Sequence, residues 1–185
     1  MVASADMEPV HFSGPPLEPA PGRLLVAASV LGDPNFVRTL VLLIEVNDEG
    51  ALGVVLNRPS STTVERALGG SVEIAAVPPP SVIFEGGPVS SDTLLGVSLC
   101  DGEPALVDLE HSWGLAGRFR LFAGYAGWGA EQLEGEIAEG SWYVVPGFEQ
   151  DLLSDNPEAL WATVLSRQIG TIRWLSTWPL DANLN

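Results

Sequence analysis

Arg58 carries the clearest recognition chemistry in the chain. It follows Asn57, precedes the rigid Pro59, and closes the strand-like run Ala51 to Leu56. A guanidinium is a planar donor fork suited to a carboxylate or phosphate, and an adjacent amide can add a further donor. The competing role for Arg58 is an ion pair to Glu85 or Glu134 that locks two loops, and this role carries more weight, because structural ion-pair networks imitate sites. Glu85-Gly86-Gly87-Pro88 can bring backbone N–H groups close to a ligand. No following helix bears Lys-Ser/Thr, so it is no P-loop, and a packing turn is the expected use. Tyr125 and Trp128 offer two aromatic faces, either as one wall of a pocket or as core. Asn57, Arg58, Glu85, Gly86, Gly87, Tyr125 and Trp128 together form the candidate binding set.

Other chemistry is sparse. His111 lies between Glu110 and Ser112, but consecutive residues cannot assemble a triad, so a surface histidine is expected. Cys100 ends an apolar run and is expected to be buried and inert. No Cys or His cluster has zinc spacing, and Asp101, Glu103, Asp108 and Glu110 lack an EF-hand pattern, so no metal is expected. No catalytic constellation is recognisable, and no cofactor is expected.

Composition narrows the partners. Against 24 acidic residues stand 8 basic ones, all arginines, for a net charge of −16. Such a field repels DNA, RNA and anionic membranes. Without lysine there is no Schiff base and no Walker-type phosphate lysine. One cysteine fits a reducing compartment. Apolar runs are strand-sized, below the ~18 residues of a membrane span, and no signal-peptide pattern opens the chain. The expected location is the cytoplasm. Oligomeric state is open.

These residues must be positioned by one domain, expected over 23–185, behind a proline-containing tail over 1–22 that includes His11. Leu24–Leu31 and Thr39–Val46 are continuous apolar blocks, the second apolar on both faces like a central strand. Asn47-Asp48-Glu49-Gly50 reads as a hairpin loop and Asp101-Gly102 as a two-residue turn between Leu94–Leu99 and Ala105–Leu109. Thr62 and Glu65 are spaced as a capping box, predicting a short helix over Thr63–Leu68. Ser81–Glu85, Phe119–Ala123 and Ser141–Val145 read as strands. The segment Gly124-Tyr125-Ala126-Gly127-Trp128-Gly129 is predicted to turn tightly from strand into helix. A last helix starts at Asn156-Pro157 and ends at Gly170. Hairpins outnumber strand-helix-strand units, so the class is α+β with largely antiparallel strands.

Three segments in combination, Gly53 to Pro59, Glu85 to Val89 and Gly124 to Glu136, resemble the YqgE/AlgH family of bacterial proteins over roughly residues 23–175. The resemblance implies a curled, partly closed sheet, a pseudo-barrel, with helices packed on it. Glu131 departs from the pattern, since glycine is expected there in many relatives. The family implies no reaction, and a regulator label attaches to one of its branches. The expected function is a binding or regulatory module acting through a protein partner. The alternative is a small-molecule binder or enzyme with a pocket near Arg58, Tyr125 and Trp128.

Overall fold

Leu24 and Val26 enter one core, Leu25 and Ala27 another, and all four are almost wholly buried. That is why the first strand is apolar without alternation: both of its faces are covered. The computed structural model describes residues 17–28, 36–69, 77–109 and 117–168. In chain order these form β1 (Arg23–Ala27), β2 (Leu40–Asn47), β3 (Gly50–Val55), β4 (Pro59–Thr63), α1 (Val64–Leu68), β5 (Val82–Glu85) and β6 (Val89–Cys100). There follow β7 (Glu103–Val107), β8 (Arg120–Gly129), α2 (Gln132–Ala138), β9 (Trp142–Pro146), α3 (Glu149–Leu152) and α4 (Pro157–Ser166). His11, His111, Ser112, Gly170 and the segment from Trp174 onward lie outside the described residues.

The strands make one mixed sheet in the order β4-β5-β8-β3-β2-β1-β9, with the β6–β7 hairpin joined to it through β8. Pairing is antiparallel except between β5 and β8, where Phe84 faces Phe122. The α+β class with largely antiparallel strands is as expected. Among the described residues, hydrogen bonding along the path stops at β4 and β9, so the sheet they form is open. Helices α3 and α4 cover one face through Leu152, Leu160, Trp161, Val164 and Leu165. Helix α2 covers the other through Leu133, and α1 closes a third cluster through Val64. No helix among the described residues is long and apolar enough to cross a membrane.

Two hairpins form where expected. Asn47 pairs with Gly50 around Asp48-Glu49, and Cys100 pairs with Glu103 around Asp101-Gly102. The central residues of the second turn take φ of 53° and 86°, the left-handed pair that a two-residue hairpin requires.

Four expectations need correction. Residues Gly124–Gly129 do not turn into the helix but continue β8, whose far half pairs with β3. The turn comes only at Ala130-Glu131. The capping residue of α1 is Thr63, whose hydroxyl accepts from Arg66 N at 3.2 Å, and the stretch before it is the edge strand β4. Pro59 opens that strand, one of the few sheet positions where a missing N–H is tolerated. Cys100 is exposed, because it ends β6 at the tip of an outlying hairpin. Helix α4 ends at Ser166, short of the expected Gly170.

Candidate functional site

The Arg58 loop is held from both sides. The side chain of Asn57 accepts from Leu40 N at 2.9 Å and donates to the Arg38 carbonyl at 2.8 Å, so both ends of its amide are spent on the chain. The Arg58 carbonyl accepts from Glu85 N at 2.9 Å. With its backbone pinned, Arg58 lines a groove between residues 37–38 and α4. The groove encloses about 510 Å³ and is lined by Val37, Arg38, Asn57, Arg58, Glu158, Trp161 and Ala162. Arg58 pairs with neither Glu85 nor Glu134, correcting the expected ion pair; among the described residues its guanidinium has no hydrogen-bond or ion-pair partner. Arg38 stacks over the Trp161 ring at 5.0 Å. Trp161 is 7% exposed and its Nε1 is buried with no partner among the described residues, while Val37 beside it is 56% exposed.

The remaining candidates go elsewhere. Gly86 donates to the Ala123 carbonyl at 2.8 Å and accepts from Val55 N at 2.9 Å, and a methyl group on it would overlap the Gly124 carbonyl. A methyl group on Gly87 would strike the Tyr125 backbone. Two backbones therefore touch here, and the glycine pair is the packing turn expected of it. Tyr125 and Trp128 are three residues apart on one strand, and an odd spacing sends side chains to opposite faces. Tyr125 packs on the core beneath α4, whereas Trp128 lies in the core beneath α2. The seven residues of the candidate binding set thus do not converge on one pocket. Asn57 and Arg58 meet Trp161 and its neighbours, not the Tyr125 and Trp128 rings.

Trp128 has a partner set of its own. Its ring lies 5.8 Å from that of Trp142 and 6.3 Å from that of Phe36. Glu136 Oε2 accepts from Trp128 Nε1 at 3.0 Å and from Trp142 Nε1 at 2.7 Å. Glu136 Oε1 accepts from Gln132 Nε2 at 3.0 Å, and Gln132 in turn accepts from Gly129 N at 3.0 Å. One carboxylate thereby anchors α2 onto two buried indoles. A smaller groove of about 180 Å³ reaches Trp128 and is lined also by Glu45, Asn47 and Glu49.

Two further arginines, absent from the candidate set, are structural. Arg120 is 1% exposed, lies 4.5 Å over the Phe84 ring, and donates to four carbonyls, those of Leu152 (2.7 Å), Ser154 (2.8 Å), Pro80 (3.2 Å) and Pro79 (3.3 Å). Burial, with Arg118 adding to it, pushes its pKa down to about 10, so it remains charged at neutral pH. Its signal was its place between Phe119 and Leu121-Phe122, inside an apolar run. Arg167 grips the buried Asp151 with two bonds of 2.9 Å, and Asp151 also accepts from Phe148 N at 3.0 Å. Both arginines fix α3, on the same side of the sheet as α4.

Among known proteins, the profile of the AlgH-like family matches residues 24–173. The chain belongs to the AlgH-like family. Within it, this AlgH-like chain is 46% identical to a UPF0301 protein of Streptomyces avermitilis, over 89% of this chain and 94% of that one. It is 40% identical to a UPF0301 protein of Thermobifida fusca over the same shares. Its fold matches the crystal structure of protein DIP2367 from Corynebacterium diphtheriae with TM-score 0.80 and 26% identity, covering 94% of this chain and 100% of that one. It matches the solution structure of AlgH from Pseudomonas aeruginosa with TM-score 0.63 and 26% identity, covering 98% and 100%. In the AlgH-like chain described here, the groove at Arg58 joins the Asn57-Arg58-Pro59 segment to α4. It sets a planar donor that is unpaired among the described residues beside an apolar wall.

Proposed function

We propose that this AlgH-like chain is a cytoplasmic, non-enzymatic binding or regulatory module, and that a segment of a protein partner docks in the groove at Arg58. The observation that carries the reading is the Arg58 guanidinium, unpartnered among the described residues at the edge of an open groove floored by Trp161. Desolvated arginine and tryptophan are the side chains most often found at the centre of protein interfaces. The titratable groups lining the groove are two arginines and Glu158. The net charge of −16 favours a protein over a nucleic acid as partner. A small molecule in the same groove is the competing reading, and its support is the volume, within the roughly 300–1,000 Å³ of ligand pockets.

Photo-crosslinking in the native cell separates the two. A benzophenone amino acid replaces Val37, which is exposed beside Arg58, or Leu106, which is 59% exposed on β7. The expected result is a discrete protein adduct from position 37 that disappears with Arg58→Glu, and none from position 106. Equal adducts from both positions, or an adduct indifferent to Arg58→Glu, would refute the proposal.

A further inference from the structure

Resting on that reading, we infer that the docking segment presents a single carboxylate to Arg58, next to an apolar side chain that packs on Val37 and Ala162. The sign of the charge follows from the guanidinium, which lacks a carboxylate partner among the described residues. Its half-buried position weakens screening by salt and strengthens a bidentate contact. The number of charges follows from the surroundings. Arg38 and Arg58 against Glu158 leave the groove lining with one net positive charge inside a chain of −16, so one carboxylate neutralises it and a dianionic phosphate exceeds it. Asn57 can add at most one N–H, because its oxygen accepts from Leu40 N and one of its two amide hydrogens goes to the Arg38 carbonyl. One planar fork therefore reads one planar carboxylate. The apolar neighbour follows from Val37, which is 56% exposed, and from the Trp161 and Ala162 wall. Glu158 sets a further condition: a second acidic residue placed against α4 is rejected, which gives the groove specificity by repulsion.

The experiment is selection of random phage-displayed peptides on the immobilised full chain. The best consensus peptide is then synthesised and titrated by fluorescence anisotropy. The expected consensus carries one Asp or Glu beside Leu, Ile, Val or Phe. Neutralising that acid to Asn or Gln and changing Arg58→Ala should each weaken binding by about tenfold or more, and together cost no more than either alone. Arg58→Lys, which keeps the charge but loses the fork, should fall between. Phosphoserine in place of the acid should not bind more tightly. Because the Arg58 side chain bonds to nothing among the described residues, these variants should melt like the parent, and a melting scan checks it.

A consensus without an acid, or an acid whose removal costs as much on Arg58→Ala as on the parent, overturns the inference. If such a peptide still competes away the position-37 adduct, the groove stands and only its specificity was misread. No enrichment at all, or enriched peptides that leave that adduct untouched, overturns the inference and counts against the groove as well.

Discussion

Glu136→Ala should destabilise the chain by about 3 kcal/mol, because one carboxylate holds three donors. It accepts from the indoles of Trp128 and Trp142, which are 6% and 2% exposed, and from Gln132. A buried donor left without a partner costs about 1–3 kcal/mol, so two indoles give about 2–6 kcal/mol. Glu136 itself is half-buried, which lets water reach part of the gap and places the expected loss in the lower half of that range. For a domain of this size, 3 kcal/mol lowers Tm by roughly 6–12 °C. Glu136→Gln is the control. Its remaining oxygen can still accept from both indoles, so it should lose about 1 kcal/mol, the charge assistance and the exposed bond from Gln132. The assay is urea unfolding followed by tryptophan fluorescence and far-UV circular dichroism, with near-UV circular dichroism reporting the Trp128–Trp142 contact. Equal losses in the Ala and Gln variants, or an Ala variant within about 0.5 kcal/mol of the parent, would show that this carboxylate does not anchor α2.

Three more outcomes are expected. Arg120→Met strips four carbonyls of their donor and should cost about 3 kcal/mol or more in denaturant unfolding. The folded pKa of Arg120 is lowered to about 10, so its protonation changes only above neutral pH, where deprotonation on that account raises stability; the Met penalty should therefore be the same at about pH 6 and pH 8. Arg167→Ala leaves the buried Asp151 carboxylate with a single backbone donor and should cost about 3–5 kcal/mol, measured the same way, while adding Asp151→Asn should recover part of the loss. Glu131 holds φ of 61°, a left-handed conformation that disfavours a side chain, and Glu131→Gly should raise stability by about 0.5–1 kcal/mol, read as a higher melting midpoint.

Much of the sheet was legible because burial leaves a local trace. The apolar blocks at Leu24 and Leu40 declare strands covered on both faces, and Asp101-Gly102 declares its own turn. Strand β4 left no such trace: Pro-Ser-Ser-Thr-Thr has no apolar residue, and its place is set by backbone pairing with β5. The glycines of β8 were misread because their cause is distant. Gly124 is small so that the Gly87 and Val89 carbonyls can pass, where a methyl carbon would lie 2.7 Å from each, and nothing near Gly124 in sequence encodes that approach. Reading a strand as a turn also hid the parity that separates Tyr125 from Trp128.

The candidate site was half legible for a related reason. Arg58 and Asn57 announce themselves beside Pro59, but Glu158, Trp161 and Ala162 arrive from a helix far along the chain. Trp161 was visible only as one member of an apolar helix face. Glu131 is the opposite case. Its departure from the glycine expected in relatives was visible in the sequence, and its positive φ supplies the physical reason for that expectation.

Hydrogen–deuterium exchange on the full chain, with and without the selected consensus peptide, tests the groove most directly. Binding at Arg58 predicts slowed exchange in residues 36–40, 56–60 and 157–162, with the strand carrying Tyr125 and Trp128 unchanged. Protection centred instead on residues 148–155, or on the Glu45–Leu52 hairpin, would place the binding surface elsewhere and contradict it.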